Sequence, residues 1–214
     1  MAICYPKIEQ DDIRYVYISP SNAKMGGIHS ISLPRAVSCP EDVPCKNKCL
    51  MRYVEGRPSV KNTYQLNYEC WKFDPDWYFD SIKADCLGQR YFRWHVCGDI
   101  PSAEYFEEMI SIAKETPHCV HLAFTKQYHI VNLTLDKGVE LPDNMCIVFS
   151  RWNGYACDNR YNLPESWVDF HRGELPDYVL KEGRRCTGNC SDCNIRQNGC
   201  FQMHRGDIVI LSGK

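Results

Sequence analysis

Cysteine is the residue type with the clearest chemistry in this sequence, since it supplies fourteen of the 214 residues. Half of these cysteines fall in two short polar segments: Cys39, Cys45 and Cys49 in the first, and Cys186, Cys190, Cys193 and Cys200 in the second. Thiolate sulfur is a ligand for zinc and for iron–sulfur clusters. Most of the remaining thiols are interpreted as core residues, because cysteine packs as a small hydrophobe. The two segments therefore predict metal centres.

The first segment has the spacing Cys39-x5-Cys45-x3-Cys49 and directly follows a predicted strand. In parallel α/β folds, the loops at the carboxyl ends of the strands converge on the active site. Three thiolates leave a four-iron cluster or a four-coordinate metal one ligand short, and an exogenous molecule can take the free position. The alternative is a zinc site that a distant histidine or cysteine completes.

The second segment has the spacing Cys186-x3-Cys190-x2-Cys193-x6-Cys200. Four thiolates form a closed ligand set, which suits either a structural zinc ion or a four-iron cluster. Gly188 and Asn189 allow the tight turns that point successive side chains at one centre. The spacing predicts a metal site but does not choose between zinc and iron.

The elements that must position these residues alternate along the chain. Apolar patterns predict strands at residues 28–33, 91–96, 120–125, 146–150 and 207–211. Helical spacing and capping residues predict helices at 59–71, 74–87, 102–116 and 128–136. Strands separated by helices indicate parallel βαβ units. A complete eight-fold barrel takes about 250 residues, so we expect a partial (β/α) barrel of roughly five or six strands.

The expected organisation is a single α/β domain over residues 1–214. Its βα core, at residues 19–155, carries the first cysteine group. An irregular cysteine-rich cap, at residues 156–214, carries the second group and ends in a strand.

Polar residues follow three of the predicted strands, and in a parallel sheet they would meet at the same edge as Cys39. They predict a pocket for a small molecule that bears a carboxylate or a phosphate. The candidate catalytic residues are His95, Asp99, Lys126 and Arg151, and the candidate cofactor-binding residues are Gly98, Asp99 and Ser150. The alternative is that each residue caps a helix or lies in a solvated loop. Cys97, in the same region, is an extra ligand, a redox thiol or a packed residue.

Composition narrows the location and the partners. A net charge of −2 gives no general attraction to nucleic acid or to membranes. No apolar stretch is long enough to cross a bilayer, so we expect no membrane association. The first residues lack the basic flank and apolar core of a secretory signal, which favours the reducing cytoplasm, where clustered thiols bind metal.

Several short strings carry a family resemblance: residues 31–34 (ISLP), 92–99 (FRWHVCGD), 123–126 (AFTK) and 161–164 (YNLP). Together with the terminal cysteine segment, they resemble the phage gene product 88 family, over residues 19–210. That family looks like a shortened relative of radical-SAM enzymes, which cleave S-adenosylmethionine at the open iron of a four-iron cluster. The resemblance implies such a cluster at the first cysteine group. It places Gly98 and Asp99 where these enzymes bind the amino group of S-adenosylmethionine, and it favours the cytoplasm of a phage host.

Two hypotheses follow. In the first, the chain is an iron–sulfur protein and a radical-SAM-like redox enzyme, with an auxiliary cluster at the second cysteine group. In the second, it is a zinc- or cluster-stabilised module, without enzymatic activity, that binds a protein or nucleic-acid partner. A third arrangement, in which both groups build one larger cluster, stays open.

Overall fold

The computed structural model describes residues 2–9, 12–49, 51–170 and 175–213. An antiparallel hairpin of β1 (Ile3–Glu9) and β2 (Asp12–Ile18) precedes a parallel sheet. The strands of that sheet are β3 (His29–Ile31), β4 (Tyr91–Trp94), β5 (Val120–Thr125), β6 (Met145–Ser150), β7 (Glu165–Asp169), β8 (Arg184–Arg185) and β9 (Ile208–Ser212). Their order across the sheet is β3-β4-β5-β6-β7-β9-β8, and all neighbours run parallel.

Four of the eight α-helices in the described chain, the third to the sixth, lie within two residues of their predicted bounds. The helices are α1 (Arg35–Ser38), α2 (Met51–Glu55), α3 (Pro58–Phe73), α4 (Pro75–Cys86), α5 (Ala103–Glu115), α6 (Tyr128–Asp136), α7 (Asp177–Glu182) and α8 (Cys190–Ile195), with short 3-10 helices at Pro44–Asn47 and Cys200–Gln202. Asp74 caps α4 by accepting a hydrogen bond from the N–H of Trp77, and Ser102 caps α5 by accepting one from Tyr105. Both caps were recognisable in the sequence.

The two faces of the sheet pack against different parts of the chain. Alternate strand residues such as Trp94 and Phe149 face helices α3 to α6 and form the main core with them. The opposite alternation, which includes Leu122 and Val148, packs against Phe201 and its neighbours from the second cysteine segment. The sheet therefore has helices on one side and the cysteine segment on the other.

The structure confirms a parallel α/β arrangement, and strands β3 to β6 and β9 lie within two residues of their predicted bounds. The sheet is open, with β3 and β8 at its edges, and no closed barrel is seen in the described residues. The sequence predicts an irregular segment between residues 150 and 207. The structure instead places β7, α7, β8 and α8 there, and three C-terminal strands extend the sheet.

Among the described residues, no helix is both long enough and apolar enough to cross a membrane.

Candidate metal and ligand site

Both cysteine groups line one cavity of about 1150 Å³. The cavity lies against the sheet face opposite α3 to α6, because Leu122, Phe124 and Val209 of that face form part of its wall. The thiols in the wall are Cys39, Cys45, Cys49, Cys97, Cys186, Cys190, Cys193 and Cys200. All fourteen cysteines of the chain are free thiols. Two ligand sets that are distant in sequence therefore open into the same space.

The first cysteine segment is a loop closed at its base. The Arg35 side chain donates from Nε to Oε2 of Glu55 at 2.6 Å, and the Arg35 backbone N–H donates to Oε1 at 3.0 Å. This ion pair joins the residues just before Cys39 to those just after Cys49. The three thiols between them are half-buried and open into the cavity.

Asp99 joins the loops that follow β3, β4 and β5. Its carboxylate accepts hydrogen bonds from the Thr125 hydroxyl at 2.5 Å and from the Lys126 backbone N–H at 2.8 Å. Its own backbone N–H donates to the hydroxyl of Ser38, the residue before Cys39, at 3.1 Å. Burial raises the pKa of Asp99 to about 6, although the hydrogen bonds oppose this rise. Because protein donors occupy the carboxylate, Asp99 is a positioning residue in this arrangement.

Gly98 allows the loop after β4 to contact the turn that leads to Cys39. Its φ of +86° lies in the left-handed region. A Cβ atom at this position would lie 2.6 Å from both the Leu33 carbonyl oxygen and the Ser38 hydroxyl. No residue with a side chain fits here without movement of the backbone, so the close approach of the two loops depends on this glycine.

His95 lies in the cavity wall with an unsatisfied imidazole. It follows β4 with a φ of +53°, and its ring centroid lies 5.3 Å from that of Tyr105. Neither ring nitrogen has a hydrogen-bond partner in the described part of the chain. Burial lowers the pKa of His95 to about 3, so the ring is neutral and carries one donor and one acceptor. The imidazole is therefore a neutral ring in the cavity wall whose donor and acceptor are both buried and unpaired in the described structure.

The other predicted pocket residues divide into two sets. Lys126 and Ser150 line the cavity, and Lys126 Nζ donates to the Ser150 hydroxyl at 2.8 Å. Arg151 is turned elsewhere: its Nε lies 3.5 Å from Glu165 Oε2, and its guanidinium lies 5.3 Å from the ring centroid of Trp167. The structure therefore brings His95, Gly98, Asp99, Lys126 and Ser150 together but does not bring Arg151 to the cavity.

Cys97 lies beside the first cysteine group but is packed differently from its members. Its side chain is 1% exposed, and its backbone binds the turn after β3 through Ser32 and Leu33. Burial raises its pKa to about 12, with the charges of Glu55 and Cys49 as further contributions. The thiol is close enough to the group to interact with it, yet it is presented less openly than the other three.

Short helical segments carry most of the second cysteine group, since Cys190 and Cys193 lie in α8 and Cys200 begins a 3-10 helix. The backbone N–H of Cys186 donates to Ile210 in β9 at 2.8 Å, and that of Cys190 donates to the carbonyl of Lys24 at 3.0 Å. Two sulfurs have local hydrogen-bond partners. The Gly188 N–H donates to the Cys186 sulfur at 3.4 Å, and the Thr187 hydroxyl lies 3.2 Å from the Cys193 sulfur, where the hydroxyl is the donor once the sulfur is a thiolate. The sheet and the N-terminal segment therefore hold this group from both sides.

Charges of both signs surround the first group. Burial raises the pKa of Cys39, and the Asp99 carboxylate raises it further. Burial also raises the pKa of Cys45, where Lys126 is the largest opposing charge. The electrostatic environment of the first group therefore includes both a carboxylate and an ammonium group.

Cations surround the second group. Burial raises the pKa of Cys200 to about 11, and the guanidinium groups of Arg93 and Arg184 oppose the rise. Burial raises the pKa of Cys190, and Arg93 and Lys24 oppose it. This positive environment is suited to thiolates or to another anion.

A family model described as Gene product 88 matches residues 11–162, which include the first cysteine group and strands β3 to β6. The chain belongs to the gene product 88 family. The second cysteine group lies beyond the residues matched by the family model. No curated protein and no solved structure matches the chain.

The spacing of the thiols in this gene product 88 protein bears on the choice of metal. In a tetrahedral zinc site with Zn–S bonds of about 2.3 Å, the sulfurs lie about 3.8 Å apart. No three of the cavity thiols have their sulfurs within 4.8 Å of one another in the described structure. The donor set is all sulfur and is more widely spaced than a single ion requires. In the described structure, these thiols therefore do not form a preassembled site for a single ion.

One described group of ligand-type residues is more compact, and it lies in the helix-side core. The ligand atoms of Cys86, Cys119 and His121 lie within 4.8 Å of one another. However, Nδ1 of His121 accepts from the Trp94 indole N–H at 3.1 Å, so Nε2 carries the proton and donates to the Thr116 hydroxyl at 2.9 Å. Both nitrogens are occupied, which agrees with a structural role for His121.

Arg93 was not among the predicted site residues, although the structure places it in the cavity wall. A signal was present, because the period-two alternation of β4 puts Arg93 on the opposite face from Phe92 and Trp94. That signal could be used only if the sheet face opposite the helices were known to hold a cavity.

Proposed function

We propose that this chain is an iron–sulfur protein with a radical-SAM-like cavity, in which each cysteine group holds its own cluster. Cys39, Cys45 and Cys49 would hold a four-iron cluster with one open position. The residues for an auxiliary cluster would be Cys186, Cys190, Cys193 and Cys200. The observation that carries this proposal is that both thiol sets open into one cavity beside a parallel sheet.

The arrangement of the first group supports an open position. Its three thiols come from one closed loop and are half-buried toward the cavity, whereas Cys97 is almost fully buried. The loop follows β3, at the carboxyl edge of the sheet, where parallel α/β proteins bind their ligands. A partial-barrel relationship to radical-SAM enzymes is consistent with this placement and is part of the proposal.

The chain's own residues would bind and orient a molecule in the cavity. A bound cluster with an open iron supplies one-electron chemistry and a position for S-adenosylmethionine. His95 offers a donor and an acceptor, and Lys126 offers a cation held by Ser150. Asp99 would keep the three loops in register without binding the ligand itself.

Anaerobic reconstitution tests the first part of the proposal. We expect a brown protein that binds iron and sulfide in amounts equivalent to two clusters and gives an electron paramagnetic resonance signal after reduction. A colourless protein that releases stoichiometric zinc would instead support the non-enzymatic binding module. The four-thiol closed set of the second group is the feature that favours that alternative.

An assay for S-adenosylmethionine cleavage tests the enzymatic part. The reconstituted protein is reduced with dithionite and incubated with S-adenosylmethionine, and 5′-deoxyadenosine is measured. We expect product from the wild-type chain and none from the Cys45→Ser variant. Absence of product from a fully iron-loaded wild-type protein would refute the enzymatic role while leaving the cluster assignment intact.

A further inference from the structure

Arg93 is a cation in the cavity wall. It lies at the third position of β4, and the accessible part of its surface opens into the cavity. Its guanidinium lies 4.2 Å from the ring centroid of Phe124, and its Nε donates to the Trp94 carbonyl at 3.3 Å. Among the described residues, no carboxylate forms an ion pair with it.

A charge in this position requires an anion. Removing a guanidinium from water is costly unless an opposite charge compensates it. Burial lowers the pKa of Arg93 to about 10, and the groups that oppose this effect are Cys200, Cys190 and Cys146. Two of these three thiols belong to the second cysteine group. Geometry places that group beside Arg93, because Tyr91 on the same face of β4 has its ring 5.0 Å from that of Phe201, the residue after Cys200, and Arg93 and the group line the same cavity.

We infer that Arg93 is the countercharge of an anionic metal–thiolate centre held by Cys186, Cys190, Cys193 and Cys200. Four thiolates around a divalent ion leave a net charge of about −2. A guanidinium on one side of such a centre stabilises it electrostatically, and Arg184 and Lys24 add positive charge from other elements. Arg184 also donates to the carbonyls of Asn198 and Gly199, so it fixes the loop before Cys200.

The positive charge of Arg93 also affects the reduction potential of the second centre, and this step rests on the proposed function. The reduction potential of an iron–sulfur cluster depends on nearby charge and on hydrogen bonds to its sulfurs. Reduction adds a negative charge, which cations and N–H donors stabilise. The second group has three cations and two local donors, whereas the first group has one ammonium group and one carboxylate, whose charges offset each other. The cluster at the second group therefore has the higher potential.

The experiment isolates the second centre in the full-length chain. The background carries the three substitutions Cys39→Ser, Cys45→Ser and Cys49→Ser. Arg93→Gln removes the charge, and Arg93→Lys retains it. Arg90→Gln removes an exposed guanidinium from the residue just before the same strand and is the matched control. Metal content is followed during a challenge with EDTA, and the reduction potential is measured by titration with dithionite.

We expect Arg93→Gln to lose metal at least tenfold faster than the background protein. Its midpoint should fall by about 59 mV or more, which is a tenfold change in the one-electron equilibrium. For Arg93→Lys, both the rate of metal loss and the midpoint potential should lie between those of Arg93→Gln and the background protein. Arg90→Gln should match the background protein in both. Circular dichroism and the midpoint of thermal unfolding of the metal-free proteins show whether each variant folds.

Two failures are distinguishable. If the protein binds only zinc, the proposed iron–sulfur function is wrong, and metal retention alone still tests Arg93. If iron is bound but folded Arg93→Gln equals the Arg90→Gln control in both retention and potential, the inference about Arg93 is wrong and the function stands. A loss of metal that Arg93→Lys does not rescue at all would also overturn the countercharge role.

Discussion

The two cysteine groups share one cavity but differ in construction and in charge. The first lies in a loop closed by the Arg35–Glu55 ion pair, and the carboxylate of Asp99 lies close to it. The second lies mostly on short helical segments that pack against the sheet face opposite α3 to α6, and cations surround it. Both groups offer only cysteine sulfur as ligand atoms. The two groups therefore differ in the charges that surround them and not in their ligands.

The largest effects should come from removing one ligand of either group. Cys45→Ser and Cys193→Ser should each lose roughly half of the reconstituted iron, because the two clusters have separate ligand sets. Iron and sulfide analysis of the two variants and of the double variant measures this loss. Complete loss of iron from either single variant would indicate one shared cluster and would remove the basis of the comparison.

At the first group, the hydrogen bonds of the Asp99 carboxylate should contribute most to the free energy of unfolding. Asp99→Ala leaves the hydroxyl of Thr125 and the N–H groups of Lys126 and Ile100 without an acceptor, so we expect a loss of about 4 kcal/mol in the free energy of unfolding. Urea denaturation of the metal-free protein measures the change. Asp143→Ala, at an exposed carboxylate, is the control and should change stability by less than about 0.5 kcal/mol. Equal effects in the two variants would contradict the positioning role.

Two glycines with nearly the same φ sharpen the comparison. Gly98→Ala should cost about 3 kcal/mol, because the added methyl group meets the Leu33 carbonyl and the Ser38 hydroxyl in addition to the left-handed strain. Gly188→Ala, in the second group, should cost only about 1 kcal/mol, because no atom lies within 4 Å of the added carbon. Urea denaturation of the metal-free variants tests this order, and the reverse order would show that the loops do not pack as described.

The smallest effect should come from Cys97. Cys97→Ser should retain the iron of the first centre and change the free energy of unfolding by no more than about 1 kcal/mol, because the thiol is buried in the cavity wall, whereas the three thiols of the first group are half-buried. The iron content of the Cys45→Ser variant, measured in parallel, is the reference for full loss of the first cluster. Equal losses in the two variants would make Cys97 a fourth ligand and would close the first centre.

Local signals in the sequence were sufficient to predict the helices and strands in the middle of the chain, from α4 to β6. Asp74 and Ser102 mark helix starts, and strands β4 to β6 have clear apolar patterns, so this part could be predicted. Strand β8 has only two residues, and β7 is partly polar, so neither has a pattern of its own. These strands form because β9 pairs with both of them. Such long-range pairing cannot be read from local sequence.

The candidate site was predictable as two separate ligand sets but not as one cavity. Spacing alone identified the cysteines, and the strand ends identified His95 and Lys126. Arg151 was misplaced, because its guanidinium finds Glu165 and Trp167 on the following strand. Arg93 was missed because its role depends on what covers the sheet face, which only the folded chain reveals.

The position of β9 also determines when the second centre is completed. The segment with its four cysteines leaves the sheet after β8 and returns as β9, which lies between β7 and β8. At translation rates of about 5–20 residues per second, the ribosome makes residue 212 roughly ten to thirty seconds after Cys49. A nascent chain could therefore load metal at its first loop well before the second can close. Cellular iron delivery would reach the two centres in that order.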